Sequence, residues 1–140
     1  MNNKAIITIR AEIYVDIETV WKNWTDPRAI VKWNHASDDW HTTRAKNDLR
    51  PGGRFESRME AKDGSFGFDF GGVYNTVRLN EFIEYTLDDD RKVTVTFARS
   101  AAGTQVTEAF EAENTNTIER QEFGWQCILN NFKKYTESLQ

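Results

Sequence analysis

The stretch NTIERQEFGWQCILNNFKKYTESL, residues 116–139, decides the fold. It holds no proline and one glycine. Ile118, Trp125, Ile128, Leu129, Phe132, Tyr135 and Leu139 recur every three or four residues, the period of one face of an α-helix. The spacing predicts one long amphipathic helix with an apolar stripe along one side. Gly124 lies inside it beside Trp125. A glycine in a helix interior costs about 1 kcal/mol relative to alanine, so the position predicts close packing or a gap next to it.

The chain leading up to this helix has the opposite rhythm. In TQVTEAFEAE (104–113), Val106, Glu108 and Phe110 share a face; in KVTVTFAR (92–99), Val93, Val95 and Phe97 do; in EFIEYTL (81–87), Ile83, Tyr85 and Leu87 do. FGFDFGGVYNTV (66–77) carries Phe66, Phe68, Phe70, Gly72 and Tyr74 at period two, and RFESRMEA (54–61) carries Phe55, Ser57 and Met59. These are half-buried strands. The Gly71-Gly72 pair predicts a bulge or a sharp bend. Asp63-Gly64 marks a hairpin, Asp88–Arg91 a charged turn and Ala101–Gly103 another. In DLRPGGRF (48–55), Pro51 presets φ for a tight turn and Gly52 can take the positive φ that a type II turn needs next. The connections are short, so the sheet is mostly antiparallel.

Further upstream, residues 34–50 are polar and irregular, with one short strand around Trp40–Ala45. Before them, DIETVWKNWTDPRAIVKW (16–33) predicts two short helices. Asp16 caps the first, which carries Ile17, Val20, Trp21 and Trp24 at helical spacing. Asp26 caps the second, and Pro27 suits its first position. KAIITIRAEIYV (4–15) opens with a strand whose inner face is Ile7, Ile9, Ala11, Ile13 and Val15.

This order predicts an α+β fold spanning residues 1–140 as one domain. A curved antiparallel sheet of six or seven strands wraps around the long C-terminal helix, with two short helices after the first strand. A strongly bent sheet gripping one helix cannot close everywhere on it. A hollow is expected between them, with the strand after Gly53 contributing Phe55, Ser57 and Met59 to its wall.

Composition narrows the function. The 140 residues carry a net charge of −4, spread without a basic block, which argues against nucleic-acid binding. Aromatic residues make up 13% while the mean hydropathy is −0.70, so the apolar mass sits in a few large rings. Rings fill cores, and they also line pockets for flat or greasy ligands. The single cysteine, Cys127, cannot form an internal disulfide and fits a reducing, cytoplasmic setting. The N-terminal MNNKAIITIRAEIYV is too interrupted by polar residues for a signal peptide or a membrane span, so the whole chain is expected to be the mature protein. Either a monomer or a homodimer paired through an edge strand is compatible with the sequence.

Three local patterns carry a family resemblance: VWKNWTDPRAIVKW (20–33), DLRPGGRF (48–55) followed by GGVY (71–74), and FGWQCILNNF (123–132). In this order and at these separations they resemble the START-like (SRPBCC) superfamily with its helix-grip fold. Within it they resemble the activator of heat-shock-protein-90 ATPase homologue family in its small stand-alone form. The likeness covers almost the whole chain. It implies the helix-grip architecture, whereas activity varies across the fold, which hosts lipid carriers, aromatic cyclases, hydrolases and plain binders. A chaperone-directed role belongs to larger relatives with an additional N-terminal domain; this chain starts directly at its first strand.

Candidate site residues follow from parity and type. The expected wall is Trp33, Trp40, Phe55, Phe68, Phe70, Tyr74, Phe97, Phe110 and Trp125, joined by Ser57, Met59, Tyr85 and Glu108. For each ring the competing reading is a filled core. Glu108 shares parity with Val106 and Phe110. A carboxyl in an apolar pocket has a raised pKa and can serve as acid, base or ligand anchor; the competing reading turns it to solvent or pairs it with an arginine. His35, Asp38, Asp39 and His41 match no familiar metal spacing and read as a solvated loop. No nucleophile motif, phosphate loop or dinucleotide fingerprint is present, and Cys127 has no base beside it. Three readings result. The first is a domain that binds a hydrophobic or amphipathic small molecule with no metal or cofactor. The second is an enzyme of cyclase or hydrolase type, working through Glu108, Tyr74, Tyr85 or a histidine. The third is an interaction module acting on a chaperone.

Overall fold

The computed structural model describes residues 4–139, so residues 1–3 and 140 of the expected domain lie outside the described residues. The elements run β1 (Ile6–Ile13), α1 (Ile17–Thr25), α2 (Pro27–Trp33), β2 (Trp40–Asn47), β3 (Arg54–Ala61), β4 (Gly67–Arg78), β5 (Phe82–Leu87), β6 (Lys92–Arg99), β7 (Thr104–Glu111) and α3 (Ile118–Ser138). The strands form one antiparallel sheet in the order β1-β7-β6-β5-β4-β3-β2. It is a meander from β2 to β7, with β1 brought back beside β7. The curled sheet, the two short helices and the terminal helix make the helix-grip fold expected from the order of elements.

The local signals act as their chemistry dictates. Asp16 accepts from Thr19 N, Asp26 from Arg28 N and Thr117 from Arg120 N, each satisfying a free N–H in a first helical turn. Arg50 O accepts from Gly53 N at 2.8 Å and Gly52 takes φ +83°, so Arg50–Gly53 is the tight turn that Pro51 prepares. It aims β3 back along β2.

Three expectations need correction. The Gly71-Gly72 pair is not a bulge, because the β3–β4 register runs unbroken through Phe55↔Gly72 and Glu56↔Gly71. The irregularity in β4 falls between Tyr74 and Thr76, against β5. The two glycines instead permit close approach: a Cβ on Gly72 would run into Thr86 O, and one on Gly71 would come within 2.7 Å of Phe55 O. Second, β2 continues to Asn47, beyond the short strand expected to Ala45, with a register shift between Thr42 and Arg44. As an edge strand it presents mostly polar side chains, which hid its alternation. Third, the apolar stripe of α3 is shorter than its sequence: Ile118 and Leu139 are exposed, while Leu129, Phe132 and Thr136 are fully buried.

The helix lies against β1, held by Gln126 to Arg10 O, Lys133 Nζ to Glu12 O and Tyr14 N to Glu137 Oε2. Its C-terminal half also meets α1 and α2 through Trp24, Trp33 and Phe132. Its N-terminal half stands over the strongly curved middle of the sheet, and there the interior is not filled.

Candidate functional site

A cavity of about 330 Å³ lies between α3 and the concave sheet, within the range of small-molecule sites. β3 contributes Phe55, Ser57 and Met59 to it; β4 contributes Phe68, Phe70 and Tyr74. Tyr85 comes from β5, Glu108 from β7, Trp33 from α2 and Trp125 from α3. Ten of the thirteen residues predicted for this wall therefore line one space. The Phe55 ring, across the sheet from Gly72, touches Phe70, Tyr74 and Tyr85.

Trp40, Phe97 and Phe110 do not line the cavity. Trp40 sits at the far end of β2, opposite Ala61, with its ring against Phe66 and Phe68. Phe97 is buried edge-on against Trp21 and Trp24. Phe110 lies behind the wall, its ring stacked on Trp125 at 3.9 Å and 10°. Phe97 and Phe110 are buried on the predicted face, packed against other rings.

Sequence reasoning missed other lining groups. Trp24, Ile83 and Ile128 have inward parity and were legible as core without being distinguishable as wall. Asn34, Lys46 and Asn47 fall in the segment read as irregular, and Arg91 in a stretch read as a charged turn. No local signal marks them, because they depend on how β2 and the β5–β6 turn fold over the sheet's ends.

The polar lining divides in two. Tyr74 donates to Asn47 Oδ1 at 2.5 Å, and Asn47 Nδ2 donates to Thr25 O at 2.7 Å, so these groups are occupied inside the protein. Ser57, Tyr85 and Glu108 are each more than nine-tenths buried, and their side chains have no hydrogen-bond or ion-pair partner among the described residues. Burial alone pushes the Glu108 carboxyl up to about 8. The Tyr85 phenol is also raised, chiefly by burial and further by the neighbouring Glu108; burial raises Tyr74, with its bond to Asn47 opposing. At neutral pH the interior thus presents a mostly protonated carboxyl and two hydroxyls, able to donate and accept.

Among the described residues, those of the loop holding His35, Asp38, Asp39 and His41 included, no three His, Cys, Asp or Glu side chains gather in a group that could hold a metal ion. Burial, aided by Lys62, lowers the His35 pKa. No helix among the described residues is long and apolar enough to cross a membrane.

Residues 14–137 match the family model described as activator of Hsp90 ATPase homolog 1-like protein. The chain belongs to this family. It is 48% identical to an AHSA1-like protein from Aeromonas hydrophila solved in solution; the match covers 96% of this chain and 94% of that one, with a TM-score of 0.91. A Cytophaga hutchinsonii protein is also 48% identical over 99% of this chain and 94% of that one, at a TM-score of 0.80. Protein NE0264 from Nitrosomonas europaea shares the fold at 19% identity, covering 100% of this chain and 99% of that one, TM-score 0.83. No curated protein matches the sequence.

Proposed function

We propose that this protein is a cytoplasmic binding domain that holds a hydrophobic or amphipathic small molecule in the cavity under α3. One observation carries the reading: three buried polar side chains, Ser57, Tyr85 and Glu108, face a space of about 330 Å³ walled by aromatic rings, and none of them has a hydrogen-bond partner among the described residues. Buried polar groups left without partners cost about 1–3 kcal/mol each, and a ligand that is apolar along its body and polar at one or two points answers both surfaces. The reducing compartment fits the single thiol of Cys127.

The test uses a neutral aromatic probe, N-phenyl-1-naphthylamine, followed by fluorescence titration and thermal unfolding. Saturable binding is expected, with a rise in Tm that grows with probe concentration by linkage. Ser57→Trp, which places an indole in the void, should abolish both. Absence of saturable binding, or binding that Ser57→Trp leaves unchanged, would remove the cavity as the site. Native mass spectrometry of the purified protein then reports the mass of any retained natural ligand.

A second reading is favoured by Glu108 itself. A carboxyl pushed up to about 8 inside a pocket is suited to proton transfer at neutral pH. If the bound molecule is turned over, Glu108→Gln should abolish turnover while leaving affinity within a few-fold; a binding domain shows no turnover in either form. The chaperone-directed reading that comes with the family name predicts an exposed apolar patch outside the cavity and a measurable complex that the cavity variants leave unchanged.

A further inference from the structure

A second hollow, about 320 Å³, adjoins the first and shares two of its walls, Arg91 and Trp125. Glu113, Asn116, Arg120, Gln121 and Gly124 complete it. The carboxylate of Glu113 and the amide of Gln121 both have partners inside the protein. The Glu113 carboxylate takes Asn116 N at 2.6 Å and Asn116 Nδ2 at 3.4 Å. Gln121 accepts from Glu113 N and donates to Glu113 O and Asn116 O. The cationic donors of the hollow are not committed to the same degree. Arg91 donates from Nε to Asp89 Oδ2 at 2.8 Å and from Nη1 to Glu111 O at 3.4 Å, while Nη2 has no partner among the described residues. The Arg120 guanidinium has no hydrogen bond or ion pair there; only its backbone N is used, by Thr117 Oγ1.

Gly124 adds the missing space. A Cβ at this position would meet nothing within 4 Å, so the helix-weakening glycine answers to a gap and not to close packing. Any longer side chain at this position would project into the outer hollow. The arrangement is therefore an inner chamber walled mainly by rings, with Ser57, Tyr85 and Glu108 as its polar points, and an outer polar one, with two guanidiniums around the outer chamber and the Trp125 ring at the partition.

We infer that the cavity ligand is an amphipathic organic anion, its apolar body in the inner chamber and its carboxylate, sulfonate or phosphate held between Arg91 and Arg120 in the outer one. This rests on the inner chamber being the ligand site. The chemistry is that of charge-assisted bonds, in which a planar guanidinium presents paired donors to an oxyanion. The rival cation is Lys46, which lines the inner cavity and is exposed; the experiment separates the two.

Two probes with the same aromatic body suffice: 1-anilinonaphthalene-8-sulfonate, which carries the anion, and neutral N-phenyl-1-naphthylamine. Arg120→Gln and Gly124→Leu should each weaken the sulfonate by about fivefold or more and leave the neutral probe within twofold. Binding of the sulfonate alone should weaken from 50 to 500 mM salt. Equal loss for both probes, a sulfonate indifferent to Arg120→Gln, or a loss that follows Lys46→Gln instead would overturn the inference while leaving the inner site standing. Failure of the neutral probe to bind the wild-type protein would instead overturn the cavity reading, and the inference with it. Circular dichroism of each variant verifies that it folds; Arg120 is exposed, and the Gly124 position has room.

Discussion

The two ends of α3 cover the same sheet and do opposite things. At the C-terminal end, the fully buried Phe132 meets Trp24 at 4.9 Å and Trp33 at 5.0 Å, both edge-on, and the two indoles stack on each other at 5.0 Å. Leu129 beside it is fully buried. At the N-terminal end, Trp125 stacks on Phe110, but the next ring, Phe70, stands 6.3 Å away, and Ser57, Tyr85 and Glu108 face open volume. Both ends are rich in rings. The difference lies in what stands between them: the hollow end has the small Ser57 at an inward position of the sheet, and Gly124 on the helix beside the outer hollow. The void follows from small residues at defined positions, and the filled end supplies the stability that lets the other stay open.

The sharpest way to break this contrast is to truncate one ring at each end. Phe132→Ala removes a side chain with no free volume around it and should cost about 3–5 kcal/mol. Phe70→Ala removes one that already borders the cavity, and should cost roughly 1–2 kcal/mol, because its site has fewer contacts to lose. Urea unfolding of both variants measures the gap. Equal losses would mean that the two ends are packed alike.

Glu108 gives the next effect, and its sign is fixed by linkage. Its pKa is about 8 in the folded protein against 4.5 for the free side chain. Below pH 4.5 it is neutral in both states and contributes nothing. Between pH 4.5 and 8 the unfolded chain ionises and the folded chain does not, so stability falls as pH rises, by roughly 3 kcal/mol at pH 7, and the loss levels off above 8. Glu108→Gln should therefore be more stable than wild type at pH 7, by up to about that amount less the cost of burying an amide. The advantage should shrink toward zero near pH 4. Denaturant titrations at four pH values follow it; a difference that stays constant with pH would place Glu108 in contact with water or a cation.

How much of this was legible in the sequence depends on how local each cause is. Period-two runs such as Phe66 to Tyr74, the helical recurrence around Trp125 to Phe132, and the caps at Asp16 and Asp26 are set by neighbours in the chain, and they yielded the fold. The inward parity of Ser57, Tyr85 and Glu108 was legible for the same reason. Depth was not. Phe97 and Phe110 have the same inward parity as Glu108, yet one is enclosed by Trp21 and Trp24 and the other by Trp125, contacts between residues far apart in sequence. Arg91 illustrates the other limit: a turn residue among aspartates reads as solvent-facing, and only the path of β7 and α3 past it makes it a wall of two cavities. The glycines mark the boundary most clearly. Sequence could say that Gly71-Gly72 and Gly124 needed a reason, and offered a bulge or a sharp bend for the first and close packing or a gap for the second. Strand proximity supplied one reason and open space the other.

The smallest expected effect bears on that last distinction. If Gly124 is retained for the space beside it and not for packing, Gly124→Ala adds a methyl that meets nothing within 4 Å and should raise stability by about 0.5–1 kcal/mol, the intrinsic helix preference of alanine over glycine. A glycine buried against a neighbour would respond the opposite way, losing stability as the methyl forced the helix off the sheet, as is expected of Gly72, where a Cβ would run into Thr86 O. A rise in Tm for Gly124→Ala alone would show that the helix sacrifices stability at this position, and that the beneficiary is the volume between α3 and Arg91; a fall would close the gap and return Gly124 to the packed end of the comparison.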